Sequence, residues 1–412
     1  MTDSTLRDHA VRAIAECARI AAMTEEPGRL TRRYLTPPVR DVHALLRDRM
    51  ETLGMTVQVD AVGNLRGLWQ PSNARRERLA LGSHIDTVPN AGADDGVLGV
   101  VLGLTLVQIA KEHELPLAIE LIAFSEEEGV RFAVPFIGSR AVAGRFDPNL
   151  LALKDAEGIT LETAIRDFGL DPNQISQAAI NENTLGFVEI HIEQGPVLEA
   201  EGLSVAAVTS IVGQTRFVVE FVGQANHAGT TPMHLRRDAM AGAAEWICAV
   251  EDLAKGTEDL VATVGKIEVE PNAGNVIPGS ARVSFEVRHA SDATRTSAAQ
   301  ALLEKAEAIA GRRKLEIRCH RQMDQASVPM DERLTAYLTE AIEAAGLPPY
   351  CMASGAGHDA MVMASRLPTA MLFLRSPGGI SHHPDETVRL EDVEAALAVG
   401  QKFLERLAAE LG

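Results

Sequence analysis

LALGSHIDTVPNAGADDGVLGVVLGLTLVQIAKEHELPLAIELIAFSEEEG, residues 79–129, decides the fold. Leu79 to Ser83 reads as a short apolar strand that delivers His84 at its carboxyl end. Leu117 to Phe124 reads as a second, delivering Ser125 and the glutamates Glu126, Glu127 and Glu128. Between them, residues 95–111 make the crossover helix that two parallel strands require. In open α/β sheets functional groups gather beyond the carboxyl ends of strands, and both polar clusters stand there. The expectation is an α/β domain whose mixed, mainly parallel sheet is flanked by helices.

Outward from this stretch, residues 4–22 and 39–53 read as amphipathic helices, and Thr56 to Val62 and Leu65 to Trp69 as strands. From about Val212 the character changes. Arg216 to Phe221 alternates as a strand, 236–254 is an Ala-rich helix, 261–269 and 281–288 are strands, 291–310 is a helix and Leu315 to Arg321 a strand. That β-α-β-β-α-β order is the ferredoxin-like α+β pattern, a compact unit by itself. Residues 213–329 are therefore expected to be an inserted domain, with 1–212 and 330–412 together forming the metal-binding catalytic domain. A helix over 331–345, an extended Ala370 to Phe373 and a helix over 390–409 return the chain to the first domain. A length of 412 residues fits two domains better than one.

Composition sets limits. Hydrophobic residues at 46% with 23% charged describe an ordinary globular chain. A formal charge of -18 disfavours nucleic acid or an anionic membrane surface as partner, because both reward a basic face. Cys17, Cys248, Cys319 and Cys351 are isolated and expected to be small buried residues, neither a disulfide framework nor a thiolate metal site. MTDSTLRDHAVRAIAEC has acids and bases where an export signal has an apolar stretch, so the cytoplasm is expected. The longest apolar run, Val97 to Ala110, is too short to span a bilayer.

Five short strings each carry a residue able to bind zinc: GSHIDTV, GADDG, SEEEG, HIEQG and SHHP. Catalytic zinc takes imidazole nitrogen and carboxylate oxygen and leaves a position for water, which selects His84, Asp95, Glu128, His191 and His382. Five side chains hold two ions only if one bridges. A bridging carboxylate suits Asp95, eleven residues after His84 in a Gly-flanked loop. Mn, Co or Ni also fill such O/N sites.

These strings, with FSEEEGVRF, NHAGTTPM, GNVIPG, SGAGHDA and SHHPDE, resemble the dinuclear zinc amidohydrolases of the aminoacylase and carboxypeptidase type over nearly the whole chain. The branch is that of the N-carbamoyl-L-amino acid hydrolases, β-ureidopropionases and allantoate amidohydrolases; HIEQGP and GNVIPG carry the likeness to it. The resemblance implies the same five ligands with Asp95 bridging, Glu127 as general base, and Asp86 as the acid that orients the His84 imidazole. It implies that His227 stabilises the developing oxyanion, and that Asn275 and Arg288 hold the substrate carboxylate, with Gln194 and Gly357 lining the pocket. It further implies a homodimer formed through the inserted domain, which acts as a lid hinged near residues 212 and 330. At the last motif the branch has SHNP or SHSP where this chain has His382 and His383, so His383 competes for the ligand position.

The implied reaction is hydrolysis of a ureido C–N bond in allantoate or an N-carbamoyl-L-amino acid by a metal-bridging water that Glu127 activates, releasing ammonia and carbon dioxide. Cleavage of a dipeptide or N-acyl bond is the other enzymatic reading; a non-catalytic protein retaining the fold has no reason to keep Glu127. The segment TEEPGRLTRRYLTPPVRDVH, residues 24–43, tilts the choice towards allantoate. Each residue also has a plainer role to be weighed. His9, His43, His113, His234 and His320 read as surface or satisfied core histidines, and the run Glu126 to Glu128 also fits a solvated helix start. Arg288 also fits a solvated strand end, His358-Asp359 a helix cap, and Gly357 a turn.

Overall fold

The computed structural model describes residues 3–74 and 76–411, which separate into two compact units. One runs through Thr209 and resumes at Met330; the other is Ser210–Pro329.

In chain order the first unit opens with helices α1 (Asp3–Ala21) and α2 (Pro37–Thr52) and strands β1 (Thr56–Val59), β2 (Leu65–Trp69) and β3 (Arg78–His84). Helix α3 (Val97–Glu112) and strand β4 (Ala118–Phe124) follow, then α4 (Ile137–Val142), α5 (Leu161–Asp167), β5 (Thr184–Ile192), α6 (Val197–Glu201) and β6 (Val205–Ile211). The second unit holds β7 (Gly213–Val222), β8 (Asn226–His227), α7 (Ala239–Lys255), β9 (Val261–Glu270), β10 (Val276–Ile277), β11 (Ser280–His289), α8 (Asp292–Arg313), β12 (Glu316–Gln325) and β13 (Val328–Pro329). The chain finishes with α9 (Glu332–Ala344), β14 (Cys351–Ser354), α10 (Asp359–Met363), β15 (Thr369–Leu374) and α11 (Leu390–Leu411).

The large sheet is mixed. Strands β4, β3, β5 and β15 run parallel through its centre; on one side β2 is antiparallel to β4 and β1 antiparallel to β2, and on the other β6 is antiparallel to β15. Parallel strands buried on both faces read as continuous apolar runs, and β4 is buried along its whole length. Helix α3 makes the crossover between β3 and β4 and is apolar around its circumference because sheet, α1 and α11 all pack on it. Its backbone meets the sheet closely at Gly99, where an added Cβ would lie 2.0 Å from the Ile190 carbonyl oxygen. The parallel centre sends the ends of β3, β4, β5 and β15 to one edge, where the polar clusters begin.

The second unit folds about its own core. Its sheet, in the order β12-β7-β11-β9, is antiparallel throughout. Phe221, Phe285 and Trp246 meet between the sheet and helices α7 and α8, and the Trp246 indole N–H donates to the Leu302 carbonyl at 2.8 Å.

Three local expectations are corrected. The strand foreseen to Val62 stops at Val59, because the Asp60 carboxylate accepts the N–H groups of Val62 and Asn64 (3.1 and 3.0 Å) and folds the chain into a turn. The helix foreseen from 236 begins at Ala239, where the Asp238 side chain caps the Ala241 N–H. Of the four cysteines only Cys17 is buried; Cys248, Cys319 and Cys351 are exposed, and none is in a disulfide.

Candidate metal centre

His84 is the last residue of β3, and β5 carries His191 near its end. Each imidazole is oriented by a main-chain oxygen: His84 Nδ1 lies 3.0 Å from the Asp86 carbonyl and His191 Nδ1 2.9 Å from the Ile192 carbonyl. A carbonyl only accepts, so Nδ1 carries the proton in both rings and each Nε2 presents its lone pair. The two Nε2 atoms face each other at 3.4 Å. Beside them stands Asp95, with Oδ1 3.8 Å from His84 Nε2 and 3.3 Å from His191 Nε2. The other oxygen, Oδ2, lies 3.6 Å from His382 Nε2, which is itself 3.8 Å from Glu128 Oε2. Two ligand groups therefore share Asp95: His84, Asp95 and His191, then Asp95, Glu128 and His382.

Asp86 acts on more than the imidazole. Its carboxylate is 3.5 Å from His84 Nδ1, farther than its own carbonyl, and accepts the N–H groups of Glu127 and Glu128 at 3.0 and 3.1 Å. One side chain thus fixes the β3 loop against the β4 loop. The glutamates after β4 form no helix start and are not solvated: Glu126 and Glu127 are buried and Glu128 nearly so. Glu127 stands with His84 and Glu128 in a third group.

The residues fit divalent ions by donor chemistry and by electrostatics. All donors are imidazole nitrogen or carboxylate oxygen. Two lone pairs facing each other repel unless a cation lies between them, and the buried Glu128 Oε1 has no hydrogen-bond partner. Burial pushes the Glu127 carboxyl well above its usual range, and pushes Glu128 up to about 8, with neighbouring carboxylates adding to both. Burial drives His191 down to about 4. At His84 burial also disfavours the charge, but Asp86, Glu127 and Asp95 outweigh it and hold the pKa well above 6.5, so the surroundings favour positive charge here.

The rival histidine separates by geometry. His382 has a left-handed backbone, φ 53°, which turns its ring to Asp95 and Glu128. His383 is exposed and lies 3.6 Å from Asp385 instead. Gln194, also left-handed at φ 58°, reaches both Asp95 oxygens at 3.3 Å and Ser381 Oγ at 3.1 Å. Gly357 is exposed and lies against the Phe136 ring, while His358 next to it is buried, 4.4 Å from the His191 ring centre and 3.0 Å from Ser354 Oγ.

In the second unit, His227 pairs with Val276 in the β8–β10 ribbon, and the Asn275 carbonyl accepts the Ala228 N–H at 2.9 Å, so His227 and Asn275 are neighbours. His227 Nδ1 accepts the N–H groups of Gly229 and Thr230 at 3.0 and 3.2 Å, which puts the ring proton on Nε2 and makes that edge a donor. Arg288 is on β11, its Nε donating to Glu286 Oε1 at 2.5 Å.

A family model described as Peptidase family M20/M25/M40 matches residues 80–406. The chain belongs to this family. Its M20/M25/M40 membership makes it a hydrolase, and curated relatives narrow the group. It is 40% identical over 380 residues to an N-carbamoyl-L-amino acid amidohydrolase of Geobacillus stearothermophilus, covering 92% of each chain. It is 37% identical over 390 residues to an allantoate amidohydrolase of Escherichia coli K12, covering 93% of each. The crystal structure of an amidase of the hydantoinase/carbamoylase family from Burkholderia multivorans superposes with a TM-score of 0.90 at 32% identity, over 96% of this chain and 97% of the other. Among the described residues no helix is long and apolar enough to cross a membrane.

Supporting residues escaped the sequence reading. The Arg32 guanidinium is wholly buried and donates from Nε to the Ile85 carbonyl at 2.6 Å, and from Nη1 to the carbonyls of Ile20 and Met23, so it clasps the turn between His84 and Asp86. Glu189, on the His191 face of β5, accepts from Ser83 Oγ at 3.1 Å and from the Ala360 N–H at 2.7 Å. Period-two spacing from His191 on a strand is the signal that would have found Glu189; no local signal marks Arg32.

Proposed function

We propose that this chain hydrolyses a ureido C–N bond, in an N-carbamoyl-L-amino acid or in allantoate, and releases ammonia and carbon dioxide. The observation that carries the reading is the split of Asp95, whose Oδ1 faces His84 and His191 while Oδ2 faces His382. Two divalent ions, zinc by preference, would be held by His84, Asp95 and His191 and by Asp95, Glu128 and His382. When bound, they supply a nucleophile strong enough near neutral pH and polarise the carbonyl under attack.

The chain's own groups do the rest. Glu127 accepts the proton of the attacking water and returns it to the leaving nitrogen, while Asp86 holds the Glu127 and Glu128 amides in place. Gln194 steadies Asp95 at the pocket wall, and Gly357 lines it. In the second unit the Nε2–H edge of His227 is the donor for the developing oxyanion, Asn275 beside it and the Arg288 guanidinium bind the substrate carboxylate, and Glu286 fixes the latter. Residues 213–329 serve as dimerisation domain and lid, so the working enzyme is a homodimer and the cytoplasm its place. The relatives named for carbamoyl amino acids and for allantoate support the substrate class.

The test is ammonia release by metal-replete protein from allantoate, carbamoyl-β-alanine and several carbamoyl-L-amino acids, beside amine release from dipeptides and N-acyl amino acids. Turnover confined to the ureido acids is expected, with allantoate first. Turnover confined to peptides or N-acyl substrates overturns the reading.

A further inference from the structure

We infer that Glu386 is the positioning residue of the second ion site, acting through His382, an inference that rests on the two-ion reading above. Of the five ligand side chains, His382 is the exception in packing: it is 52% exposed, whereas His84, Asp95, Glu128 and His191 are between 0% and 7%. Beyond Asp95 and Glu128, an imidazole so open to solvent has little packing to select its rotamer, so its place depends on the main chain. That main chain is in the left-handed region at φ 53°, which is strained for a non-glycine residue and persists only where the surroundings impose it.

Glu386 imposes it. Its Oε2 accepts the His382 N–H at 3.2 Å, and its own N–H donates to the His383 carbonyl at 3.0 Å, closing residues 382–386 into a loop from both ends. The side chain is 4% exposed and packs against the backbone of the loop that carries Asp95: a Cβ added at Gly92 would lie 2.5 Å from Glu386 Cβ and 2.7 Å from Oε1. Glu386 therefore connects the segment bearing His382 to the segment bearing the bridging carboxylate. It belongs to none of the ligand groups, and its one hydrogen bond to the backbone of a ligand residue is to His382, so it acts on the ion through another side chain. His84 and His191 depend on other carbonyls and stand outside its reach.

The consequence is selective. Disturbing Glu386 weakens the site made by Asp95, Glu128 and His382 and spares the one made by His84, Asp95 and His191. The experiment counts zinc by mass spectrometry after graded chelation, and follows cobalt(II) absorption on titration of apoprotein, for wild type, Glu386→Gln, Glu386→Leu and Gly92→Ala. Glu386→Gln keeps an acceptor for the His382 N–H and is expected to bind two ions as wild type does. Glu386→Leu is expected to keep one ion and bind the second about 10- to 100-fold more weakly. Gly92→Ala leaves Glu386 intact but crowds it, and is expected to lose the same ion, which keeps the test valid if Glu386→Leu does not fold. Two ions of unchanged affinity in both disruptive variants, or the loss of both ions together, overturns the proposal. Wild type that takes up fewer than two ions removes the two-ion reading and this proposal with it.

Discussion

Two adjacent glutamates after β4 are proposed for different duties, base and ligand, and single substitutions separate them. Glu127→Ala is expected to keep wild-type zinc while losing about 100- to 10,000-fold in turnover, the usual worth of a positioned acid/base group. Glu128→Ala is expected to lose an ion instead, because Glu128 Oε2 stands beside His382 Nε2. Zinc analysis paired with ammonia release decides both, and normal turnover by fully loaded Glu127→Ala would sink the first. Away from the centre, His43 of α2 is buried, edge-on to Phe168, and burial with Arg47 and Arg40 nearby drives its pKa down to about 4. The unfolded chain takes up this proton near pH 6.5 and the folded chain only near pH 4. This contribution to stability is therefore whole at pH 7 and is lost as pH falls from about 6.5 to 4, at up to about 1.4 kcal/mol per pH unit. Urea unfolding of wild type and His43→Phe at pH 7 and pH 5 should show the variant losing less on acidification; parallel losses would refute this.

At the level of elements, periodicity found the strands and helices, and tertiary contact set where several of them end. Asp60 and Asp238 capture backbone N–H groups in a turn and a cap, a competition that an apolar pattern does not register. Close packing was equally hidden. In a solvated helix Gly99→Ala would stabilise α3 by roughly 0.5–1 kcal/mol. Here the new methyl would meet the Ile190 carbonyl at 2.0 Å, two residues before the end of β5 and next to His191. Gly99→Ala is expected to destabilise the protein by roughly 1–3 kcal/mol through overpacking and to weaken ion binding with it. A denaturation midpoint at or above wild type would contradict that.

For the whole molecule, ion binding and folding are linked. A ligand that binds only the folded chain stabilises it by about 4 kcal/mol at about 1,000 times its Kd. Chelation should therefore lower the calorimetric melting temperature by several degrees and zinc should restore it, whereas identical melting curves would argue against a structured ion site in the first unit. The sequence by itself determined the candidate donors and put His84 and the three glutamates after apolar strands, and parallel strands must end at one edge of their sheet. Only the tertiary structure shows that His382 and not His383 faces Asp95 and Glu128, because the difference lies in a left-handed main chain whose N–H is bound by a carboxylate four residues on, itself packed against Gly92. The Arg32 clasp, the reach of Gln194 to Asp95 and the His227–Val276 pairing that sets Asn275 beside His227 are of the same kind. Each joins segments distant in the chain through a backbone hydrogen bond or an unusual torsion, and residue type and spacing carry no trace of either.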